Sequence, residues 1–471
     1  MSTIRYMLCI ALWIWSVILP WTLLGTVTTI IAGFLLLMYP AWDSKKKDSN
    51  GHPNKPRHEK WFYAWLIGLS ALGGFWALFL PLALNQKFDG PNADGNQLRL
   101  HLLYITGGVL ALTTLGETHR KNTLEKAKND QDHIRQVHAE RRSRYTTAVE
   151  QLSSDKASIR LGGVYTLVGL VDEWLSDEKT TSSPEERRKE GQVIINNLCS
   201  YIRSPFLLAE RAGQLDKPYT KDLQKDFGGD KEKFDADKQT FKQHKATLEE
   251  ERQVRLSIIK EMHEHLHDAE KPCPWSGFDY DFSNAHFFYP IDFVYSYFGV
   301  FSNFSGVTFT EDANFFGAEF TGGANFNEAT FTKRANFSEA KFTRGAYFSE
   351  AKFTDAHFFG AEFTGNAHFS WAKFTEDTDF SGVEFTGDAN FSGATFEEKP
   401  IFERALGDKT YKARFSYKAD PEDYNFKVSH NSRYKIETEE KEYNGAKFII
   451  PKGTELFDPD KPSEQGNNDG N

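Results

Sequence analysis

Residues 380–396, with the sequence FSGVEFTGDANFSGATF, place a phenylalanine at the first, sixth, twelfth and seventeenth positions. The step between successive phenylalanines therefore alternates between five and six residues. This alternation extends from Phe282 to Phe402, and the step from Phe353 to Phe358 is the one departure from it. A small apolar residue, usually alanine, lies two positions before most of these phenylalanines. The segment is therefore a short internal repeat.

The period of this repeat disfavours an α-helix. A five-residue step rotates a side chain by roughly 140°, so successive rings would lie on different helix faces. A unit this short cannot bury a core of its own and must stack on its neighbours, which is typical of a solenoid. Four units per coil predict five to six coils, with phenylalanine on the axis and alanine at the corners. The stack would be roughly 25 Å long at ~4.8 Å per layer.

The strings FSGATF, FFGAEF, FSEAKF and TGDANF within this segment resemble the pentapeptide-repeat proteins. The resemblance implies a right-handed quadrilateral β-helix, which we expect over residues 275–404. The sixth residue of alternate units, as in Thr386–Phe391, departs from the family pattern, and we interpret it as a bulged corner repeated twice per coil. The predicted structural core includes Phe304, Phe315, Phe326, Phe337, Phe348, Phe358, Phe369, Phe380, Phe391, Ala324, Ala335 and Ala346.

The amino-terminal region, residues 1–116, predicts a membrane domain of three or four transmembrane helices. No charged residue occurs from Tyr6 to Trp42. This stretch exceeds the ~20 residues that one upright helix needs and fits either one span kinked at Pro20 or two short spans. A cleaved signal peptide is the alternative, but the apolar run is too long for one and no small-x-small cleavage site follows it.

Two further spans are expected at Trp61–Leu84 and Leu100–Leu115, the second with Gly107 and Gly108 at a helix contact. Basic residues predict their orientation. Six lysines and arginines precede the first of these spans and many follow the second, whereas the loop Asn85–Arg99 has only Lys87 and Arg99. Because basic loops stay in the cytoplasm, the residues after about 117 are expected to be cytoplasmic.

The middle of the chain predicts helices. Residues 117–209 form a helical module in which Ser183 and Glu186 make a capping box before an apolar face of Val193, Ile195, Leu198, Cys199 and Ile202. This block resembles the helical module that precedes pentapeptide repeats in many bacterial membrane proteins. That resemblance implies a bacterial, specifically actinobacterial, multi-pass cell-membrane protein.

The remaining segments flank the repeat. Residues 210–274 predict a charged helical arm that breaks at Gly228-Gly229 and packs its last turns on the open end of the solenoid. Aromatic and aliphatic residues over 405–457 predict irregular strands that cap the other end. The polar tail 458–471 is expected to be disordered.

One string resembles a catalytic motif. His263, Glu264 and His267 fit H-E-x-x-H, in which two histidines bind zinc and the glutamate activates water. Pro272 ends the helix soon afterwards and no third ligand is evident, so we interpret the histidines as solvent-facing. The remaining alternative is adventitious metal binding, which His265 makes easier in vitro. The three cysteines show no zinc spacing, and their scarcity fits a reducing compartment. We expect no catalysis, no cofactor, no metal and no small-molecule substrate.

The expected function is that of a membrane-anchored, non-catalytic cytoplasmic scaffold, whose rigid β-helix surface binds a protein partner that the sequence does not identify. The alternative is a DNA mimic that inhibits a DNA-binding enzyme such as gyrase, because residues 278–404 hold 19 acidic and 8 basic residues. The outward glutamates are interleaved with lysines, which disfavours mimicry, and nucleic acid is not an expected partner. These residues are Glu319, Glu328, Glu339, Glu350, Glu362 and Glu384, with Lys333, Lys341, Lys352 and Lys373.

Overall fold

The computed structural model describes residues 57–84, 87, 94–219, 228–267 and 272–461, with the backbone alone at 57–65, 69, 72 and 83. The predicted span at 6–42 and the tail after 461 lie outside the described residues. The chain forms two compact units, Met1–His133 and Ile134–Asn471. Its helices are α1 Arg57–Ala83, α2 Asp94–Leu152, α3 Ala157–Ser176, α4 Pro184–Arg203, α5 Ala212–Leu215 and α6 Lys231–Leu266, with 3₁₀ turns at Ala209–Arg211, Pro274–Gly277 and Pro421–Asp423.

The first unit contains α1 and the beginning of α2. Among the described residues, α2 is the one helix that is long and apolar enough to cross a membrane, by length and composition. A shorter apolar stretch of α1 covers Leu66–Leu82. One spanning helix is weaker support than three, so the multi-pass arrangement stays a prediction.

The two helices of the first unit approach each other at Gly73, where an added Cβ would lie 2.1 Å from Cγ2 of Thr106. Gly107 and Gly108, which were predicted at a helix contact, do not contact α1, since a Cβ at either would meet no described atom within 4 Å. Each residue turns a helix by about 100°, so the two glycines that follow Thr106 face away from α1.

The helical module of the second unit comprises α3, α4 and the end of α2. Gly163 lets α3 pack closely, because a Cβ there would lie 2.7 Å from the carbonyl oxygen of Ala148 in α2. Ser183 caps α4 by accepting a hydrogen bond from the backbone N–H of Glu186, which is the serine half of the predicted capping box.

The buried face of α4 differs from the predicted face at one position. Val193 is 52% exposed, and Ile194 is buried in its place. Ile194 lies four residues before Leu198 and eight before Ile202, so these three side chains share one helix face. Val193 falls outside that row.

Helix α6 begins after Gly228 and Gly229, whose φ angles are 62° and 86°. Asp230 then caps the helix by accepting hydrogen bonds from the backbone N–H groups of Glu232 and Lys233. The last turns of α6 bury Ile258, Met262 and Leu266 in a hydrophobic core that continues into the first coil of the solenoid. A helix therefore covers what would otherwise be an open sheet edge.

Short parallel strands form the solenoid, and two antiparallel hairpins lie near its carboxyl-terminal end. They are β1 Tyr280–Asp281, β2 His286–Phe287, β3 Ile291–Asp292, β4 Tyr297–Phe298, β5 Ser302–Asn303, β6 Thr308–Phe309, β7 Ala313–Asn314, β8 Glu319–Phe320, β9 Ala324–Asn325, β10 Thr330–Asn336, β11 Lys341–Phe342, β12 Ala346–Tyr347, β13 Lys352–His357, β14 Glu362–Phe363, β15 Ala367–His368, β16 Lys373–Phe374, β17 Thr378–Asp379, β18 Glu384–Phe385, β19 Ala389–Asn390, β20 Thr395–Phe396, β21 Glu403–Leu406, β22 Lys409–Lys412, β23 Arg414–Ser416, β24 Tyr424–Asn425, β25 Thr438–Tyr443, β26 Ala446–Pro451 and β27 Glu455–Phe457.

These strands stack into four faces of about five turns, within the expected range. The first face orders β1, β5, β9, β12, β15, β19 and β24, and the fourth orders β4, β8, β11, β14, β18, β23 and β27. The second face follows β2, β6, β10, β13, β16 and β20, and the third follows β3, β7, β10, β13 and β17. β10 and β13 belong to both because each runs through the corner between them.

Phenylalanine rings fill the interior in stacked columns. Phe304 and Phe326 are typical, with ring centroids 4.8 Å apart and an interplanar angle of 4°. Full burial of each ring contributes about 1.5–3 kcal/mol, and each ring pair adds about 0.5–1.5 kcal/mol. One column follows each face, comprising Phe282, Phe304, Phe326, Phe348, Phe369 and Phe391, then Phe287, Phe309, Phe331, Phe353, Phe374 and Phe396, then Phe293, Phe315, Phe337, Phe358, Phe380 and Phe402, then Phe298, Phe320, Phe342, Phe363 and Phe385.

The irregular step from Phe353 to Phe358 has a structural counterpart. At this step β13 continues through the corner, and its pairing with β10 shifts register between Phe331 and Arg334. The six-residue step of β10 therefore accommodates its extra residue as a bulge against the five-residue step of β13.

The stacking continues beyond the last residue of the sequence repeat. The antiparallel hairpin β21–β22 projects after Phe402, and the chain then returns so that Phe415 stacks on Phe385 with centroids 5.1 Å apart. Phe426 likewise stacks on Phe391 at 5.6 Å. The hairpin β25–β26 then buries Phe448 at this end of the core.

Candidate interaction surface

Each face of the solenoid presents one outward residue per coil. The two residues on either side of it, generally alanine and phenylalanine, point inward because side chains alternate along a strand. All the predicted core residues lie inside and are buried: Phe304, Phe315, Phe326, Phe337, Phe348, Phe358, Phe369, Phe380, Phe391, Ala324, Ala335 and Ala346. The surface that the solenoid presents to other molecules therefore consists of the outward columns and the corners.

The outward column of the first face begins as a polar ladder. Asn303 Nδ2 donates to Oδ1 of Asp281 at 3.1 Å, and Asn325 Nδ2 donates to Oδ1 of Asn303 at 3.3 Å. The next two positions in register are Tyr347 and His368, whose rings stack with centroids 5.4 Å apart and an interplanar angle of 7°. Aromatic side chains thus replace amides in the middle of this column.

The corner between the first and second faces contains a residue with a positive φ angle in every coil from Gly306 to Gly393. The backbone N–H of each residue donates to a carbonyl of the following coil, as Trp371 does to Ser392 at 2.9 Å. These corner residues are Gly306, Glu328, Glu350, Trp371 and Gly393, with φ angles of 65°, 59°, 60°, 61° and 71°.

Trp371 is exceptional in this column. It is the one tryptophan between residues 280 and 404, it is 63% exposed, and its φ of 61° is a backbone conformation that bulky residues rarely adopt. Its ring lies over Gly393, where an added Cβ would be 2.7 Å from Cδ2 of the indole. The glycine of one coil therefore makes room for the tryptophan of the previous coil.

Two lysines lie beside this tryptophan on the second face. Lys352 and Lys373 are adjacent in register, both are exposed, and neither forms an ion pair with a described residue. We call Tyr347, His368 and Trp371, together with these two lysines, the aromatic corner. It occupies two consecutive coils, because each residue of the lower coil pairs with one of the upper coil.

The acidic residues do not form one unbroken stripe. Glu319, Glu362 and Glu384 lie on the fourth face, but Lys341 separates the first two and lies 3.7 Å from Glu362. Arg414 lies above Glu384 at 2.7 Å. Glu328 and Glu350 occupy the corner described above, whereas Glu339 has a φ of 58° at a different corner. Lys333 lies on the bulged corner of β10, where it pairs with Glu311.

The prediction that the motif histidines face solvent is wrong for His263, whereas His267 is exposed. His263 is half-buried with Nδ1 3.1 Å from Oγ of Ser296, because the end of α6 packs on the first coil. His265 stacks on Trp275 with centroids 4.2 Å apart. Among the described residues, no group of three or more His, Cys, Asp or Glu side chains could hold a metal ion.

Sequence reasoning missed the aromatic corner, although one signal was available. Trp371 interrupts a series that otherwise contains glycine or glutamate. To predict that Tyr347 stacks on His368, the register between coils must be known. The spacing at this point is 21 residues, whereas that between Asn325 and Tyr347 is 22.

Comparison with known proteins agrees with this architecture. Residues 315–361 and 358–405 match the family described as Pentapeptide repeats (9 copies). The pentapeptide-repeat resemblance is thus confirmed for this segment of the solenoid. Neither the curated proteins nor the solved structures compared with the chain yield a match.

Proposed function

We propose that the protein is a membrane-anchored, non-catalytic scaffold whose aromatic corner binds a protein partner in the cytoplasm. The observation that carries the proposal is Trp371, a 63% exposed tryptophan held at a φ of 61°. A left-handed conformation costs about 1–2 kcal/mol for a residue other than glycine. Since glycine occupies the same column at Gly306 and Gly393, stability alone does not explain the tryptophan.

The chemistry of the corner suits a protein partner. Tryptophan and tyrosine dominate binding hot spots because they bury a large area at a low entropic cost. The stacked β-strands hold Trp371, Tyr347 and His368 on a rigid frame, so little ordering is required on binding. Lys352 and Lys373 add positive charge on a solenoid that is otherwise acidic, which favours a partner segment that carries carboxylates.

The membrane anchor is supported by the exposed apolar side of α2. Leu103, Leu112 and Leu115 are 53%, 72% and 66% exposed, and no charged residue occurs between His101 and Glu117. In water such a surface would favour aggregation, whereas in a bilayer it contacts lipid. The basic residues after Glu117 favour a cytoplasmic location for the helical module and the solenoid.

Mimicry of DNA is the weaker candidate. A mimic needs regularly spaced negative charge along one side, whereas Lys341 and Arg414 interrupt the glutamates of the fourth face. The chain can be tested directly in a gyrase supercoiling assay. Absence of inhibition at stoichiometric excess would eliminate the alternative.

The test of the scaffold uses substitutions within one corner column. Trp371→Gly installs the residue that the column already has at Gly306, so the fold should be retained. Glu328→Gly is the matched control, because it makes the same backbone change two coils away. Each full-length variant would carry a photo-crosslinking amino acid at Ser370 or, in the control series, at Asn327, and crosslinked proteins would be identified from intact cells.

We expect a specific adduct at Ser370 that Trp371→Gly reduces at least tenfold and Glu328→Gly leaves within about twofold. Gly393→Ala should also reduce it, because its Cβ would meet the indole at 2.7 Å while the tryptophan itself remains. Equal adduct yields in the wild type and in Trp371→Gly would show that the aromatic corner does not bind a partner.

A further inference from the structure

The carboxyl-terminal end of α6 presents two histidines to the first coil of the solenoid, His263 in the last turns and His267 as the residue that follows the helix. His263 and His267 are four residues apart, and their ring centroids lie 4.9 Å apart in an edge-to-face arrangement. The Nδ1 atom of His263 is 3.1 Å from Oγ of Ser296, and Nδ1 of His267 is 3.0 Å from the carbonyl oxygen of Val294. Both histidines thus use the same ring nitrogen for contact with the same coil.

The carbonyl contact of His267 determines which of its ring nitrogens remains for a ligand, and the hydroxyl contact of His263 is compatible with the same nitrogen. A carbonyl oxygen can only accept, so Nδ1 of His267 carries the proton and the lone pair of the neutral ring is on Nε2. Ser296 Oγ can accept in the same way from Nδ1 of His263. Among the described residues, neither Nε2 atom has a hydrogen-bond partner.

Each ring is oriented by a contact at one nitrogen, as is usual for histidines that bind a metal. Metal-binding histidines usually donate the second ring N–H to a carbonyl, a carboxylate or another acceptor, which orients the ring and raises its basicity. His267 is the cap residue after α6, with φ −79° and ψ 90°, and its ring lies beside that of His263.

We propose that Nε2 of His263 and Nε2 of His267 bind one divalent transition-metal ion, with water in the remaining positions. Imidazole suits Ni²⁺, Cu²⁺ and Zn²⁺, and Cu²⁺ and Ni²⁺ tolerate a site that the protein fills only in part. The site contains two protein ligands rather than three. It is not a zincin centre, because Glu264 is exposed and pairs with Lys260 at 3.5 Å.

Metal binding would reinforce the junction between α6 and the solenoid. A metal on Nε2 polarises the N–H on the opposite side of the ring, which strengthens the bonds to Val294 and Ser296. The backbones of His267 and Ser296 also form an antiparallel bridge, so main-chain contacts join the helix end to the same coil. The metal would therefore stabilise the docked helix end, independently of the proposed binding at the aromatic corner.

His265 provides a matched control within the same turn. Its Nδ1 lies 2.7 Å from the carbonyl oxygen of Glu261, and its Nε2 lies 3.2 Å from Oδ2 of Asp172. Both ring nitrogens are therefore engaged, and the ring is stacked on Trp275. A substitution there changes the histidine content of the turn without removing a proposed ligand.

The test uses the full-length chain in detergent without a histidine tag, titrated with Ni²⁺ alone by calorimetry. The chain has 14 histidines, so each variant is compared with the wild type rather than with zero. His267→Ala should remove one site or weaken it at least tenfold, whereas His265→Gln should stay within about twofold. Spectra of bound Cu²⁺ should show two coupled nitrogens in the wild type and one in His267→Ala.

Circular dichroism of the metal-free variants establishes that each is folded. Ni²⁺ should raise the melting temperature of the wild type and of His265→Gln but not that of His267→Ala. Affinity in His267→Ala within twofold of the wild type, or an equal loss in His265→Gln, would overturn the proposal. Thermal stabilisation by Ni²⁺ that persists in His267→Ala would overturn it as well.

Discussion

The side chain of Phe337 shows what each layer of the solenoid contributes. Its ring stacks on Phe315 at 4.9 Å and on Phe358 at 5.2 Å, and it is fully buried. Any substitution at this position acts on three coils at once, because the ring is shared by its neighbours above and below.

Phe337→Asp is therefore expected to abolish cooperative folding of the solenoid, and Phe369→Asp should do the same. Truncating a buried phenylalanine costs about 3–5 kcal/mol, and a carboxylate without a partner on the axis adds a further penalty. Circular dichroism melting curves provide the measurement. Glu339→Lys is the control, because Glu339 is exposed and lysine is no more strained than glutamate at its φ of 58°.

Equal losses of melting temperature in Phe337→Asp and Glu339→Lys would contradict the assignment of inward and outward residues. Inward positions were predictable from sequence because packing imposes a strict period on them. The position of Trp371 recurs once per coil, but the residue type was not predictable there, since packing does not select an outward side chain. Its neighbours in space, Tyr347 and Gly393, belong to other coils.

At the scale of elements, the corner between the second and third faces shows how the solenoid tolerates a change of length. Both β10 and β13 run through this corner. The step from Phe331 to Phe337 has six residues and that from Phe353 to Phe358 has five, yet the rings still stack at 4.8 Å and 5.2 Å. The extra residue is confined to the outer surface of the corner.

Deletion of Lys333 should therefore be tolerated, because it converts the six-residue step of β10 into the five-residue step that β13 already has. The melting temperature should fall by only a few degrees, which corresponds to about 1 kcal/mol. Deletion of Ser338 is the comparison. It shortens a step of five residues, moves the alternation by one position and turns an inward side chain outward.

Cooperative unfolding should survive in the Lys333 deletion and disappear in the Ser338 deletion, as followed by circular dichroism. Similar behaviour of the two deletions would mean that the corner bulge does not absorb length. The irregular step was visible in the sequence. Its consequence, a continuous strand through the corner, required the pairing of β10 with β13, which no single coil contains.

The junction between the helices and the first coil predicts a pH dependence. His286 in β2 is half-buried, and its Nε2 is buried without a hydrogen-bond partner among the described residues. Burial lowers the pKa of His286 from its usual 6.5, with Glu210 opposing this shift and Arg255 adding to it. The folded state thus favours the neutral ring.

The contribution of His286 to stability is present above pH 6.5 and is lost as the pH falls through the lowered pKa, since the unfolded state binds the proton more readily. Urea denaturation at pH 7.5 and pH 5.5 should therefore show a smaller free energy of unfolding at the acidic value. His286→Gln should reduce that difference. An unchanged difference in this variant would assign the pH dependence to other groups.

For the whole molecule, the features that could be predicted from the sequence are those that packing constrains. The solenoid and its caps could be anticipated because a repeat that buries its own rings leaves few alternatives. The orientation of α4 could be anticipated only in part, as Val193 and Ile194 show, because neighbouring apolar residues compete for one face. The predicted membrane topology depends on contacts with lipid, and contacts within the chain carry no information about it.

Topology reporters can test the membrane arrangement that the charges predict. Lysine and arginine are frequent after Glu117 but sparse between Asn85 and Arg99, so the solenoid should be cytoplasmic and this loop external. A fluorescent protein fused after Asn471 should then mature and fluoresce. Alkaline phosphatase inserted after Gly90 should be active, since it requires the oxidising side of the membrane.

Exchanging the two reporters provides the control, because each should then be inactive at the other position. The opposite pattern would place the aromatic corner outside the cell, where a cytoplasmic partner could not reach it. The scaffold proposal in its present form would then fail, although the solenoid would be unaffected. Binding of the proposed partner at the aromatic corner thus requires the predicted topology, whereas the stacking of the rings requires only the repeat.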